Sequence, residues 1–210
     1  MISKLAYVHP DAKIGNNVTV EPFACIAGDV VIGDDCWVGP GAVIHDGARI
    51  GNRNLLMAYV HVGHDCVVGD NCVIANRVSL AGEVHVGNWV VIGGHAAVHQ
   101  WTHIGDHVMI QGGALLGQDV PPFIIVRNDT MRFAGINKIG LSRRGFTPER
   151  IAEIHDACRI LFQSGLNYMS GCEEVEKQIP QSAERDELVK FIRESKRGII
   201  KPYEAKAKEE

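Results

Sequence analysis

Ile74-Ala-Asn-Arg-Val78-Ser-Leu80-Ala-Gly-Glu-Val84-His-Val86-Gly-Asn-Trp-Val90-Val-Ile92 carries a large aliphatic residue at every sixth position and a smaller apolar one four places after each. The same phase runs without a miss from Ile2 through Leu116, so the period is a structural rule rather than a local accident. In the second register stand Ala, Val, Cys or Thr, with Asn54 as the sole exception. Six residues are too few for a helical repeat and too regular for a sandwich. The pattern reads as a mainly β chain folded as a parallel β-helix, in which each hexad gives one short strand and a turn and three hexads close an eighteen-residue triangular coil. Successive coils pair their backbones at about 4.8 Å, which makes the hexad region a prism roughly 32 Å tall. Gly directly follows the aliphatic in ten hexads, among them Gly15, Gly33, Gly51 and Gly87, which suits a backbone that bends at short intervals.

The hexads stop at Asp119-Val-Pro-Pro-Phe123, where paired prolines remove ladder donors. The expected layout is therefore a β-helix over 1–123, an irregular basic connection over 124–146, a small C-terminal α-helical domain over 147–203 and a charged tail over 204–210. Thr147 reads as an N-cap with Pro148 after it, and Ile151, Ile154, Cys158 and Leu161 form a helical stripe to about Gln163. Two further helices are expected, from about Ser170 to Ile179 and from about Ser182 to Lys196, the latter turning Leu188, Phe191 and Ile192 inward.

A net charge of −4 argues against a general nucleic-acid binder. No apolar run is long enough to span a membrane, and the start MISKLAYVHP lacks a signal-peptide pattern, which points to the cytoplasm. Cys36, Cys66 and Cys72 occupy the small inward register and read as reduced packing residues, and Cys25, Cys158 and Cys172 show no CxxC spacing.

Because the interior is filled, chemistry must come from the outside of the prism. His95, His99, His103 and His107 are spaced by four, as zinc ligands on a helix would be. The hexad phase continues through them, so it distributes them over different corners and faces. His85 falls eighteen residues below His103 and should stack on it. A stronger lead is His61-Val-Gly-His64-Asp65-Cys66, where a carboxylate directly follows an imidazole. Such a pair suits general-base catalysis on a hydroxyl acceptor. Two surface histidines beside a turn aspartate would present the same residues. Residues 127–144 hold Arg127, Arg132, Lys138, Arg143 and Arg144 against Asp129 alone, a basic stretch suited to phosphates or an acidic protein surface, or simply an exposed loop.

Several stretches together resemble one family: Asn54-Leu-Leu-Met-Ala-Tyr-Val-His-Val-Gly-His-Asp-Cys66, Ile74-Ala-Asn76, Leu80-Ala-Gly82, Val98-His-Gln100, the DVPPF exit and Gly140-Leu-Ser-Arg-Arg-Gly-Phe146. The chain resembles the UDP-N-acetylglucosamine O-acyltransferases of lipid A biosynthesis, within the hexapeptide-repeat acyltransferase superfamily. The resemblance implies a left-handed prism, an exception to the usual crossover hand, and a homotrimer. It also implies transfer of an (R)-3-hydroxyacyl chain from acyl carrier protein to the 3-hydroxyl of UDP-N-acetylglucosamine, with no metal or other cofactor. By the same resemblance His64 is the general base, Asp65 its orienting carboxylate and the Gly82 N–H the oxyanion donor. His61, His99 and Gln100 contact substrate, Gly112 sets the floor of the acyl groove, and Asn137, Arg143 and Arg144 hold the nucleotide end.

The chain departs from the family pattern in being about sixty residues shorter, with the loss between Gly51 and Asn54. A lysine that reaches the sugar nucleotide goes with it, and Glu83 stands where many members carry His. Two other readings therefore stay open. One is an acyltransferase of the same fold with a different acceptor, and the other is a non-catalytic shortened paralogue that binds acyl carrier protein.

Overall fold

A computed structural model describes residues 1–127 and 132–201. Two-residue strands recur every six residues from Tyr7–Val8 to Leu115–Leu116 and assemble into three parallel sheets. The first sheet has seven strands, from Tyr7–Val8 to Leu115–Leu116, and the second has six, from Lys13–Ile14 to His103–Ile104. The third starts at Thr19–Val20. Each strand pairs with the one eighteen residues away, as His61 with Ser79 and Val62 with Leu80. Every sixth-position aliphatic from Val20 to Leu116 is buried, and burial of such side chains is worth about 1.5–3 kcal/mol each. Ile2 at the open lower end is half exposed.

Three edges join the sheets: the first, between sheets one and two, includes residues 45–48, 63–66, 81–84 and 99–102. The second edge includes 51–54, 69–72, 87–90 and 105–108, and the third 57–60, 75–78, 93–96 and 111–114. Every sixth residue from Asp35 to Gly113 turns the corner with a left-handed φ of 56° to 79°. Most of these are not glycine, so each such corner costs roughly 1 kcal/mol that the ladders on either side must offset. The ten glycines after the aliphatics are not at these positions and do not have positive φ. All but Gly117 serve close approach instead. A Cβ on Gly15 would lie 2.7 Å from the Gly33 carbonyl carbon, and one on Gly63 would lie 2.7 Å from that of Ala81.

The second edge carries a ladder of Asn16, Asp34, Asn52, Asp70, Asn88 and Asp106, in which each backbone N–H up to that of Asn88 donates to the side-chain oxygen of the next coil at 2.6–2.9 Å. This ladder and the strand register pass through 51–54 unbroken, so the prism closes across the seam. Asn54, the misfit of the inward register, is buried and satisfied. Its Nδ2 donates to Gly69 O at 2.7 Å, and its Oδ1 accepts from Cys72 N at 2.7 Å. Cys36 and Cys72 in the same column donate Sγ–H to Gly51 O and Gly87 O, so asparagine copies a cysteine contact. Thr102, on the inward register of the first edge, has a buried hydroxyl without a hydrogen-bond partner. Thr102→Val removes that unpaired group at nearly constant shape, and should raise stability by up to about 1 kcal/mol in urea unfolding.

The described parts of the connection, 124–127 and 132–146, hold more regular structure than the sequence indicates. Ile124–Val126 extends the third sheet in parallel with Met109–Ile110, and Phe133–Ile136 folds back antiparallel upon it. A short helix α1 follows at Lys138–Arg143. Its core contact, Leu141, is single and periodicity has too little length to show it. Helix α2 spans Pro148–Gln163 behind a Thr147 cap, and Ile151, Ile154, Cys158 and Leu161 are buried as the stripe requires. Helix α3 spans Tyr168–Gln178, two residues earlier than expected because Asn167 caps it, and α4 spans Ala183–Glu194 behind a Ser182 cap. The buried Asp119 ties this region to the prism, accepting from His103 N at 2.8 Å and from Ser195 Oγ at 2.6 Å. The charged tail over 204–210 and Asp129 lie outside the described residues.

Glu187 of α4 is half-buried, and burial, then Asp106 and Glu184, push its carboxyl up to about 7. A carboxyl raised above its unfolded value of about 4.3 favours the fold fully below that value and loses the advantage as pH rises through about 7. Glu187→Gln should therefore match the parent in urea unfolding near pH 4 and exceed it near pH 8.

Candidate functional site

His64 and Asp65 stand on the first edge, on the coil directly above Asp46 and Gly47. His64 Nδ1 lies 2.9 Å from Asp65 Oδ2, and both side chains are 62% exposed, so the pair is open to a substrate. Asp65 is the left-handed corner residue, with φ +57°, and its N–H donates to Asp46 O at 3.0 Å. One coil higher is Gly82. A Cβ there would collide with His64 Nε2 and Cε1, so the absent side chain leaves room for the ring to lie over the Gly82 backbone. On the second edge the equivalent N–H groups are taken by the Asn/Asp ladder. No described residue accepts the Gly82 N–H. A base nitrogen beside an uncommitted N–H donor is the combination that attack on an acyl carbon needs.

His61 faces outward from the first sheet with Nδ1 3.2 Å from Leu80 O, and its ring packs 4.9 Å from that of His45. His99 and Gln100 lie one coil above Gly82 on the same edge, His99 being exposed with Nδ1 3.2 Å from Gln100 O. The first edge therefore gathers His64, Asp65, Gly82, His99 and Gln100, with His61 on the adjoining sheet.

The remaining expected residues lie elsewhere. Gly112 is on the third edge, above Gly94. Its neighbour Gly113 is the left-handed corner glycine, with φ +76°, and Gly112 is not. Asn137, Arg143 and Arg144 flank the second edge. Asn137 is buried and fully engaged: its Oδ1 accepts from Gly140 N at 3.2 Å to cap α1, and its Nδ2 donates to His107 O at 2.8 Å. Arg144 donates to His107 Nδ1 at 3.2 Å and lies over the Trp89 ring at 5.4 Å. Burial and the Arg144 charge hold the His107 pKa below the usual imidazole value. Arg143, by contrast, is exposed on α1. The basic stretch is thus divided. Arg127 lines a cavity with His155 and Arg159, Arg132 lies beside Leu115 and Lys201, and Arg144 joins helix to prism.

The four histidines at spacing four are distributed as the hexad phase requires. His95 is on the third edge, His99 on the first, His103 on the second sheet and His107 on the second edge. His85 and His103 pack with ring centroids 4.7 Å apart and planes tilted by 39°, and burial, then His103, lowers the His85 pKa. Trp89 and Gly47 carry contacts that composition and local motif do not reveal. The eighteen-residue columns do reveal them.

Comparison with known proteins accords with this geometry. A family model described as UDP-N-acetylglucosamine O-acyltransferase, domain 2, matches residues 119–200, and a bacterial transferase hexapeptide model matches 29–56 and 47–82. The acyl-[acyl-carrier-protein]–UDP-N-acetylglucosamine O-acyltransferase of Xylella fastidiosa is 38% identical over 130 residues, 61% of this chain and 49% of that protein. Its namesake in Burkholderia thailandensis is 38% identical over 137 residues, 61% of this chain and 51% of that one. The chain thus spans about half the length of the curated relatives it matches. The crystal structure of a UDP-N-acetylglucosamine acyltransferase from Bacteroides fragilis superposes with a TM-score of 0.77 at 37% identity, covering 96% of this chain and 100% of that one. The Moraxella catarrhalis O-acyltransferase gives 0.77 at 29%, covering 95% and 99%. With the left-handed β-helix, the hexapeptide coils and the second-domain match together, the chain belongs to the UDP-N-acetylglucosamine O-acyltransferase family.

Proposed function

We propose that this protein transfers an (R)-3-hydroxyacyl chain from acyl carrier protein to the 3-hydroxyl of UDP-N-acetylglucosamine, the first step of lipid A biosynthesis, with His64 as general base. The carrying observation is the His64–Asp65 pair held over Gly82, whose N–H no described residue accepts. With Nδ1–H engaged by Asp65, Nε2 takes the proton of the acceptor hydroxyl as its oxygen attacks the thioester carbonyl. The Gly82 N–H donates to the oxyanion of the tetrahedral intermediate. Collapse breaks the C–S bond, and the thiolate leaves with the proton returned from His64. The balance closes without metal or redox cofactor.

The residues assigned to base and acyl floor lie on two different edges of one prism and those assigned to the nucleotide lie beside the remaining edge, which favours a homotrimer in which neighbouring copies complete each other's site. Arg143, exposed on α1, is the nucleotide-end group, while Asn137 and Arg144 hold α1 in place. Among the described residues no helix is long and apolar enough to cross a membrane. The inward-facing free thiols of Cys36, Cys66 and Cys72 suit the reducing cytoplasm.

One observation favours a different acceptor. Below His64 the first edge presents Asp46, Asp29 and Asp11 with no lysine or arginine among its own residues, Arg49 of the adjoining strand is already paired with Asp29 at 2.8 Å, and an open groove there is lined by Tyr7, His9 and these carboxylates. Mass spectrometry of incubations with a series of (R)-3-hydroxyacyl carrier proteins and UDP-N-acetylglucosamine separates the readings. Acylated nucleotide that vanishes in His64→Ala supports the first. Carrier-protein binding without product moves the search to other acceptors.

A further inference from the structure

We propose that Gly47 is a positioning residue for the His64–Asp65 pair, because the side chain it lacks leaves the space into which the Asp65 carboxylate folds. The first-edge corner column runs Asp11, Asp29, Gly47, Asp65, Glu83 and Trp101, so glycine occurs only beneath the carboxylate that grips His64. A Cβ on Gly47 would collide with Asp65 Oδ1, come within 2.8 Å of its Cγ and lie 3.0 Å from its backbone N. Oδ1 leans over the glycine while Oδ2 reaches His64 Nδ1 at 2.9 Å. The obstructing atoms are mainly the end of a flexible side chain, so the coil can still close around a substituent. What yields is the carboxylate, and with it the orientation of the imidazole. Gly47 also has φ +79°, but this conformation does not by itself demand glycine. Asn17 and Asn71 occupy left-handed corners of the second edge, at φ +53° and +59°.

That comparison selects the substitution. Gly47→Asn keeps a residue tolerant of the left-handed corner and fills the space under Asp65. Gly41→Asn is the matched control, since Gly41 is a left-handed corner on the third edge beneath the Tyr59 ring, away from the pair. The effect on turnover rests on the acyltransfer reading, whereas the effect on His64 does not. In the parent, ¹⁵N spectra of neutral His64 should show one tautomer, with the proton on Nδ1. Gly47→Asn should give a mixture, lower kcat by about 10- to 100-fold with KM within about twofold, and add nothing to Asp65→Asn in the double variant. Gly41→Asn should show the parent tautomer and parent kcat at a similar unfolding midpoint. A Gly47→Asn protein with the parent tautomer overturns the proposal. If the parent proves inactive with every donor, the acyltransfer reading fails, and the tautomer measurement still decides the role of Gly47.

Discussion

His64→Ala is expected to reduce kcat for acyl transfer by on the order of 10³-fold, within the range that a positioned general base contributes. The thermal midpoint should not move, because the imidazole is 62% exposed and its polar contact is the neighbouring Asp65. Asp65→Asn should cost less, about 10²-fold. The amide can still occupy the corner but presents a poorer partner to Nδ1–H, so the ring loses its fixed tautomer. The double variant should resemble His64→Ala alone, since an orienting group has nothing to orient once the base is gone. Time courses of product by mass spectrometry measure all three. A His64→Ala protein with parental kcat would sink the assignment and transfer attention to His61 or His99 on the same side of the prism.

Asn54→Ala should destabilise the prism by about 2–4 kcal/mol. The substitution strips a partner from Cys72 N–H and from Gly69 O, both internal, and leaves a small void. Asn54→Cys should cost only about 1 kcal/mol. A cysteine there can donate to Gly69 O as Cys36 donates to Gly51 O, and its sulfur can accept Cys72 N–H as Cys36 Sγ accepts Asn54 N–H at 3.4 Å. Urea unfolding of the two variants checks the ordering. Equal losses would mean that the column contacts do not carry the seam.

The prism was legible because its rule is repetitive: one aliphatic every six residues fixes strand, face and coil together, and the phase alone assigns His95, His99, His103 and His107 to separate places. The helices after Thr147 were legible from cap and stripe. What escaped depends on contacts between coils. The left-handed corners accept Asn, Arg, Tyr, Trp and His alike, so no residue type announces them. The glycines that follow ten of the aliphatics suggested bending, yet most of them, such as Gly15, Gly33 and Gly63, answer to the backbone of the coil above. Ile124–Val126, Phe133–Ile136 and α1 are too short for periodicity and are held by pairing with Met109–Ile110 and by the Asn137 cap. At the site, the base motif was visible as neighbours in sequence. The internal engagement of Asn137 and Arg144 was not, because their partners His107 and Trp89 are far away along the chain.

The register of eighteen residues per coil makes the molecule behave as an indexed screw. A change of eighteen residues in chain length lengthens or shortens the shaft and returns every later residue to its own azimuth. A change of six keeps all aliphatics pointing at the axis, so the core is as well filled as before, but it rotates everything above by one third of a revolution. A six-residue insertion just after Gly51 would carry His64 and Gly82 together from the first edge to the second, leaving a stable protein whose reactive pair faces the wrong neighbour. Core packing is therefore blind to an error that function would register at once, and tolerated changes in the length of such chains are confined to whole turns or to loops that leave the shaft.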